Sequence, residues 1–410
     1  MPENRISSIE RYYTFVTKLV LAWFIILPLF SLLRLAAPGL GLDLHFIASF
    51  ANIIIFGIFI IASCVVFLDF IFLKKVDLTH ILAFFFLFYG VFVGLLHNGF
   101  TSEFFKHFYL VIFSVIFFTI GLKSFSFWSL EKLRSFTTVS FGSNVLSVVL
   151  FAILSTVIFI YPGYGTQGAA YVLMYYLATG QRLMSFLCVV VIVSQGKRSI
   201  LFSALLCMVF FWVSQKIRSR IALPLSIFAS AFFVSIFLYF IEAFNLYTLS
   251  GMSRIRYINP FSASFDVYMG SSGRVDEILS LFNSFKDNAV KYVTGLGVGF
   301  SYEWTLSYNE EHTEAKSYLH STPIMAFILF GPLITTVIYA YFLSVIGGIL
   351  SKSYKPGIAQ EEYWNFLALS SLFFLISGFF SLNALSDPLG WILLGLSCAL
   401  YKRFKIGKSD

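Results

Sequence analysis

The sequence predicts an all-α polytopic membrane protein of about twelve transmembrane helices, with one large outer loop containing short helices. Three observations predict it. Only 12% of the 410 residues are charged and 59% are hydrophobic, whereas a soluble globular chain carries about 25% charged residues. A single water-soluble core cannot enclose that much apolar surface at this length. The apolar residues gather in runs near the roughly 20 residues that a span requires, so twelve spans would use about 240. Lys and Arg, finally, are unevenly placed between those runs. Together these observations exclude a soluble enzyme, a secreted disulfide scaffold, a disordered chain and a free nucleic-acid binder. The 52 Phe residues are expected to face lipid or fill helix contacts. Cys64, Cys188, Cys207 and Cys398 all fall in apolar runs without CxxC spacing and read as small buried hydrophobes.

Taken in order, apolar runs between polar breaks place spans at about 15–37, 47–73, 80–96, 107–123 and 136–161. The first run is too long for a cleavable signal and lacks a small-residue cleavage site, so it is expected to act as an anchor. Segment 162–198 reads as one long span or as a hairpin of two short ones. Ala178-Thr179-Gly180-Gln181-Arg182 interrupts it, with a helix-ending Gly. The flanking runs, 166–180 and 182–195, are short enough to require local thinning of a bilayer. Further spans follow at about 199–215, 221–247, 321–350, 363–380 and 385–402.

Lys and Arg near span ends stay cytoplasmic, and this decides for the hairpin. With twelve spans and both termini inside, 18 of the 28 Lys and Arg are cytoplasmic, four lie in short outer loops and six in the long loop. With one span over 162–198, the Lys216–Arg220 cluster moves outside and the asymmetry disappears. The chain then divides into an N-terminal bundle, 1–247, of about nine spans including the hairpin at 166–195; an outer loop, 248–320; and a C-terminal part, 321–410, of about three spans and a cytoplasmic tail. The formal charge of +8 is therefore mostly topological, and membrane lipid rather than nucleic acid is the expected partner. Charges within spans are few; Asp69 near the inner end of its span and Glu242 near the outer end of its own have no partner cation at matching depth, which weakens an ion-pathway reading.

Three outward positions have the residue types for chemistry. Gly196-Lys197-Arg198-Ser199 opens a span, where a cation meets the positive end of a helix and favours a shared anion. Backbone N–H groups there, with an Arg fork, suit a phosphate; contact with lipid headgroups is the structural alternative. Ser271-Ser272-Gly273-Arg274 leads into a helix whose apolar positions 275, 278, 279, 282 and 285 share a face, with Ser271 or Ser272 as N-cap. Arg274 is again a cation in a first turn, with Asp276 and Glu277 as local neutralisers. Tyr318-Leu319-His320-Ser321-Thr322-Pro323 puts His320 beside an N-cap with Pro just inside the helix, where a neutral imidazole suits a general base. Gly295-Leu296-Gly297-Val298-Gly299 lacks a Walker Lys and reads as a tight turn over the membrane surface. Arg254, Arg256, Glu303 and Tyr318 are further candidates for substrate contact, and Glu303, in an acidic stretch read as a solvated loop, is a candidate to orient His320. His97, His107 and His312 have no ligand spacing, so no metal and no cofactor is expected.

These pieces resemble a family of polytopic bacterial envelope proteins, the Wzy-type O-antigen and capsule polysaccharide polymerases and the related O-antigen ligases. The resemblance rests on Arg198 in its short outer loop, on Ser272-Gly273-Arg274 opening the large loop, and on the Gly295–Gly299 stretch followed by Leu319-His320-Ser321-Thr322-Pro323. It departs at Ser321, where many relatives carry Asn. The resemblance implies a GT-C-like fold in the bacterial inner membrane, with the active site facing the periplasm and undecaprenyl-diphosphate-linked oligosaccharide as substrate. Carried over, Arg198 and Arg274, with Lys197, grip the diphosphate and His320 takes the proton of the attacking hydroxyl. Metal-independent transfer with inversion follows, because fixed guanidinium charge can stabilise the leaving diphosphate. A chain-length regulator of the Wzz type in the same membrane is the implied protein partner. An O-antigen ligase transferring the glycan to lipid A core, and a lipid-linked glycan flippase, stand as alternatives.

Overall fold

The computed structural model describes residues 2–73, 78–125, 127–158, 167–195, 197–216, 259–264, 274–283, 289–306, 309–352, 359–380 and 385–406, with a few single positions in 232–245 and at Phe285. Long apolar runs leave backbone groups no partner but one another, and helices result. They are α1 (Pro2–Ala36), α2 (Leu44–Leu73), α3 (Leu78–Asn98), α4 (Ser102–Lys123), α5 (Leu130–Leu154), α6 (Gln167–Ala178), α7 (Arg182–Ser194) and α8 (Arg198–Lys216). Nearer the C-terminus come α11 (Thr322–Leu350), α12 (Ala359–Phe380) and α13 (Pro388–Ile406). Six of these, within α1, α2, α4, α5, α11 and α12, are long and apolar enough to cross a membrane. Shorter apolar stretches lie in α3, α7 and α8. Most of the expected span at 221–247 lies outside the described residues.

Segment 167–194 is a hairpin, turning at Gly180 with φ +69°. Its arms of 12 and 13 residues measure only about 18–20 Å, well short of a roughly 30 Å hydrocarbon layer. Helix α6 is buried on nearly every face, from Gly168 to Ala178, so it packs as bundle core. A hairpin returns the chain to the side it left, however deep it reaches, so the topology on either side is unaffected.

The described part of the expected loop 248–320 holds more than short helices. It contains α9 (Arg274–Asn283), α10 (Ala289–Thr294) and an antiparallel hairpin, β1 (Tyr302–Leu306) with β2 (Asn309–Lys316). The stretch expected to be a solvated acidic loop is therefore a sheet, with Tyr302 and Trp304 buried on one face and Glu303 exposed on the other. Leu281, Phe285, Leu296, Val298, Phe300, Tyr302 and Trp304 form a small core with Phe104 of α4 and Met325 and Ile328 of α11.

A kink in α11 anchors this segment. Pro332 has no N–H to give the Ile328 carbonyl, and Gly331 beside it sits at φ +78°. The freed Ile328 oxygen instead accepts from the N–H groups of Leu296 (2.6 Å) and Gly297 (3.3 Å). Val298 N–H donates to the Gly90 carbonyl of α3 at 3.0 Å. Gly297, at φ +68°, lies so close to α3 that an added Cβ would be 2.1 Å from the Gly94 nitrogen. The glycine-rich stretch is thus wedged between α3 and α11, about two turns along from the start of α11, and turns through positive φ at Gly295, Gly297 and Gly299. His107 of α4 pins it from the other side. Its Nδ1 accepts from Gly299 N–H at 3.0 Å, its Nε2–H donates to the Ser317 carbonyl, and its ring stacks on Phe300.

The two ends of the bundle differ. The α3–α4 turn, α9, α10, the β1–β2 hairpin, the start of α11 and the end of α12 share one end. At the other, Lys123 pairs with Asp69 at 3.6 Å, Lys352 bonds the Phe404 carbonyl and Arg403 lies over Phe125. Asp69 also accepts from the Tyr13 hydroxyl at 2.7 Å. Its expected isolation is corrected: the partners come from helices distant in sequence.

Candidate functional site

Helix α9 does not present the face its apolar spacing suggests. Leu279 and Phe282 are exposed, while Asp276, Glu277 and Leu281 are buried. The reason is tertiary. Glu277, 3% exposed, accepts from the Lys316 ammonium through Oε1 at 2.9 Å. The Nδ1 of His320 lies 2.8 and 2.9 Å from its two carboxylate oxygens. A carboxylate with two such partners is cheaper to bury than to leave half-paired. Burial alone would raise the Glu277 pKa, but the His320 and Lys316 hydrogen bonds outweigh it and hold the carboxyl below its ordinary value. Lys316 reaches Glu277 because the β1–β2 register sets it opposite Tyr302, on the buried face, with its ammonium 3.1 Å from the Trp304 ring centroid.

His320 enters α11 just before Ser321, which occupies the N-cap position but makes no side-chain cap bond. With Nδ1–H donating to Glu277, Nε2 on the far side of the ring has no hydrogen-bond partner among the described residues. His320 and Arg274 both line one cavity of about 440 Å³, together with Ser321, Ile324, Phe379 and Leu206. Arg274, exposed in the first turn of α9, thus shares a cavity with His320 although 46 positions separate them in the sequence.

The other expected residues divide. Glu303 lies on the sheet face opposite Lys316, and Glu277 takes the orienting role expected of it. Tyr318 is 40% exposed, with its ring 5.6 Å from that of His320 and its carbonyl accepting from the Tyr302 hydroxyl. Lys197 caps α8, its carbonyl accepting from Ile200 and Leu201, and burial pushes its ammonium below the ordinary value. Arg198 heads α8, about 12 Å along the helix from the cavity-lining Leu206; its side chain lies outside the described residues. Phe202, one turn on from Arg198, packs on Phe380, which also lines the cavity. Arg254, Arg256 and the expected N-caps Ser271 and Ser272 lie outside the described residues.

Among the described residues no group of three His, Cys, Asp or Glu could hold a metal. What the site offers is a cation and an oriented imidazole lining one open cavity. Compared with known protein families, curated proteins and solved structures, the chain matches none, and its function is argued from this geometry.

Proposed function

We propose that the chain is a membrane glycosyltransferase of the Wzy polymerase type, joining undecaprenyl-diphosphate-linked oligosaccharide repeat units at the outer face of a bacterial inner membrane. The observation that carries this is the convergence of Arg274 and His320 on one cavity, at the end of the bundle opposite the Lys- and Arg-rich end. Positive charge gathers on the cytoplasmic side, which supports a cavity facing outward and about twelve spans overall.

The reaction needs little more than these groups. The acceptor hydroxyl attacks the anomeric carbon and gives its proton to Nε2 of His320. The carbon–oxygen bond to the diphosphate breaks on the opposite face, and the polyprenyl diphosphate leaves with the electron pair. Arg274 stabilises the charge developing on that group, with Lys197 and Arg198 at the positive end of α8 as further anion contacts. Single displacement inverts the anomeric centre. An apolar cavity of about 250 Å³ beside the start of α11, lined by Thr322, Ala326, Phe118, Phe374 and Trp391, supports a substrate with a hydrocarbon tail.

The test is purified full-length protein in nanodiscs with a defined undecaprenyl-diphosphate repeat unit and a chelator. A product ladder is expected. Ladder formation by His320→Ala protein at the wild-type rate, or no ladder from wild-type protein, rejects the proposal.

A further inference from the structure

Glu277 lines the cavity and Lys316 does not, yet both are held in one buried cluster with the His320 ring. The sheet's register, the cation over Trp304 and the inverted burial of α9 all serve to bring a paired carboxylate against Nδ1 of His320. The His320 backbone N–H adds a further contact to Glu277 Oε2 at 3.4 Å, so ring and main chain are held by one carboxylate. We propose that Glu277 and Lys316 are the positioning residues of this site: Glu277 fixes His320 as the Nδ1–H tautomer with Nε2 open to the cavity, and Lys316, delivered by the β-hairpin, holds Glu277 against the ring. This rests on the glycosyl-transfer reading for its consequence in rate, but not for its geometry.

Two things follow for the proton. When Nε2 takes the hydroxyl proton, the imidazolium is balanced by Glu277 at hydrogen-bond distance. Lys316, holding the second share of that carboxylate, keeps Glu277 from drawing the Nδ1 proton to itself. The charged and titratable groups facing His320 are Glu277 and Arg274 from α9, Lys316 from β2, and Tyr318, with Tyr302 behind it. The cavity walls from α8, α11 and α12 contribute Leu206, Ser321, Ile324, Ile376, Phe379 and Phe380, which do not titrate.

The experiment combines two readouts on the full-length protein in nanodiscs. ¹⁵N shifts of the His320 ring report its tautomer without any substrate. The split between kcat and KM in lipid-diphosphate transfer reports whether the ring is positioned for reaction. Wild-type protein is expected to show a protonated Nδ1. Glu277→Gln should lose that preference and lower kcat by about 10-fold or more with little change in KM. Lys316→Met should weaken the same preference and lower kcat less. The double variant Glu277→Gln/Lys316→Met removes both buried charges together and guards against a variant that fails only by misfolding; it should fold and still lose the tautomer preference. A protonated Nε2 in the wild type, or an unchanged tautomer and kcat in both single variants, overturns the inference. Correct tautomer shifts in a protein that transfers no glycan would uphold the positioning and reject the proposed reaction, so the two fail separately.

Discussion

Glu277 and Asp387 are both buried carboxylates, each 3% exposed, at the same end of the bundle. Asp387 caps α13, ahead of Pro388. Its Oδ1 accepts from Gly390 N–H at 3.0 Å and its Oδ2 from the Tyr171 hydroxyl at 2.5 Å, and Tyr171 is itself fully buried. Every partner belongs to the framework, and the network stops there. Glu277 passes its interaction on to His320, whose ring is 41% exposed and opens on a cavity beside Arg274. Both carboxylates satisfy the rule that buried charge is paired. What separates a structural network from a functional one here is whether the last member has an unused valence facing empty space.

The sharpest way to break that distinction is at its open end. His320→Ala should lower the transfer rate per folded molecule by about 10²- to 10⁴-fold, with some loss of thermal stability because buried Glu277 keeps Lys316 alone as partner. Arg274→Ala should cost about 10²- to 10³-fold in kcat, with Arg274→Lys intermediate, since lysine keeps the charge without the planar fork. If the rate per folded molecule is unchanged in His320→Ala, or Arg274→Ala melts well below the wild type, the open network is structural after all. Gly297→Ala tests the scaffold between the two regions. Its φ of +68° and the 2.1 Å approach to Gly94 leave no room for a Cβ, so a loss above about 3 kcal/mol is expected. Folding yield and protease resistance of residues 274–320 would register it.

Much of the framework is legible in the sequence, because a membrane helix needs only a run of apolar residues. The run read at 321–350 is the helix Thr322–Leu350, and the break at Gly180 is the hairpin turn. Arg274 in a first turn and His320 at a helix entry are local readings too. Glu277 is not legible. The helical spacing of Val275, Ile278, Leu279 and Phe282 argues for an apolar buried face, and only contacts with residues about 40 positions away make burying a carboxylate favourable. Asp69 hides its partner Lys123 for the same reason. Other signals are present in the sequence. Gly331-Pro332 inside a long run marks the kink that frees the Ile328 carbonyl. Tyr302-Glu303-Trp304 alternates as a strand does, although four acidic residues in 303–314 favour a solvated loop.

Weaker effects sharpen the same contrast. Asp387→Asn leaves the side chain's size unchanged but exchanges a charged acceptor for a neutral one, which should cost about 1–2 kcal/mol. Activity per folded molecule should stay at the wild-type level, because no atom of that network reaches the cavity.

The smallest expected effect is the acid response of the two networks. The Glu277 carboxyl is held below its ordinary value of 4.5 in the folded protein. It therefore stabilises the fold in full above about pH 4.5 and loses that contribution as pH falls through its folded value. The loss should appear where Glu277 acts, as faster amide hydrogen exchange in residues 274–283 and 309–320 between pH 5 and about pH 3. Glu277→Gln should flatten this dependence, having no carboxyl to protonate, whereas Asp387→Asn should keep it. Equal acid sensitivity in the Glu277→Gln protein would mean that another carboxylate holds the segment, and the difference drawn between the two networks would then lose its electrostatic basis.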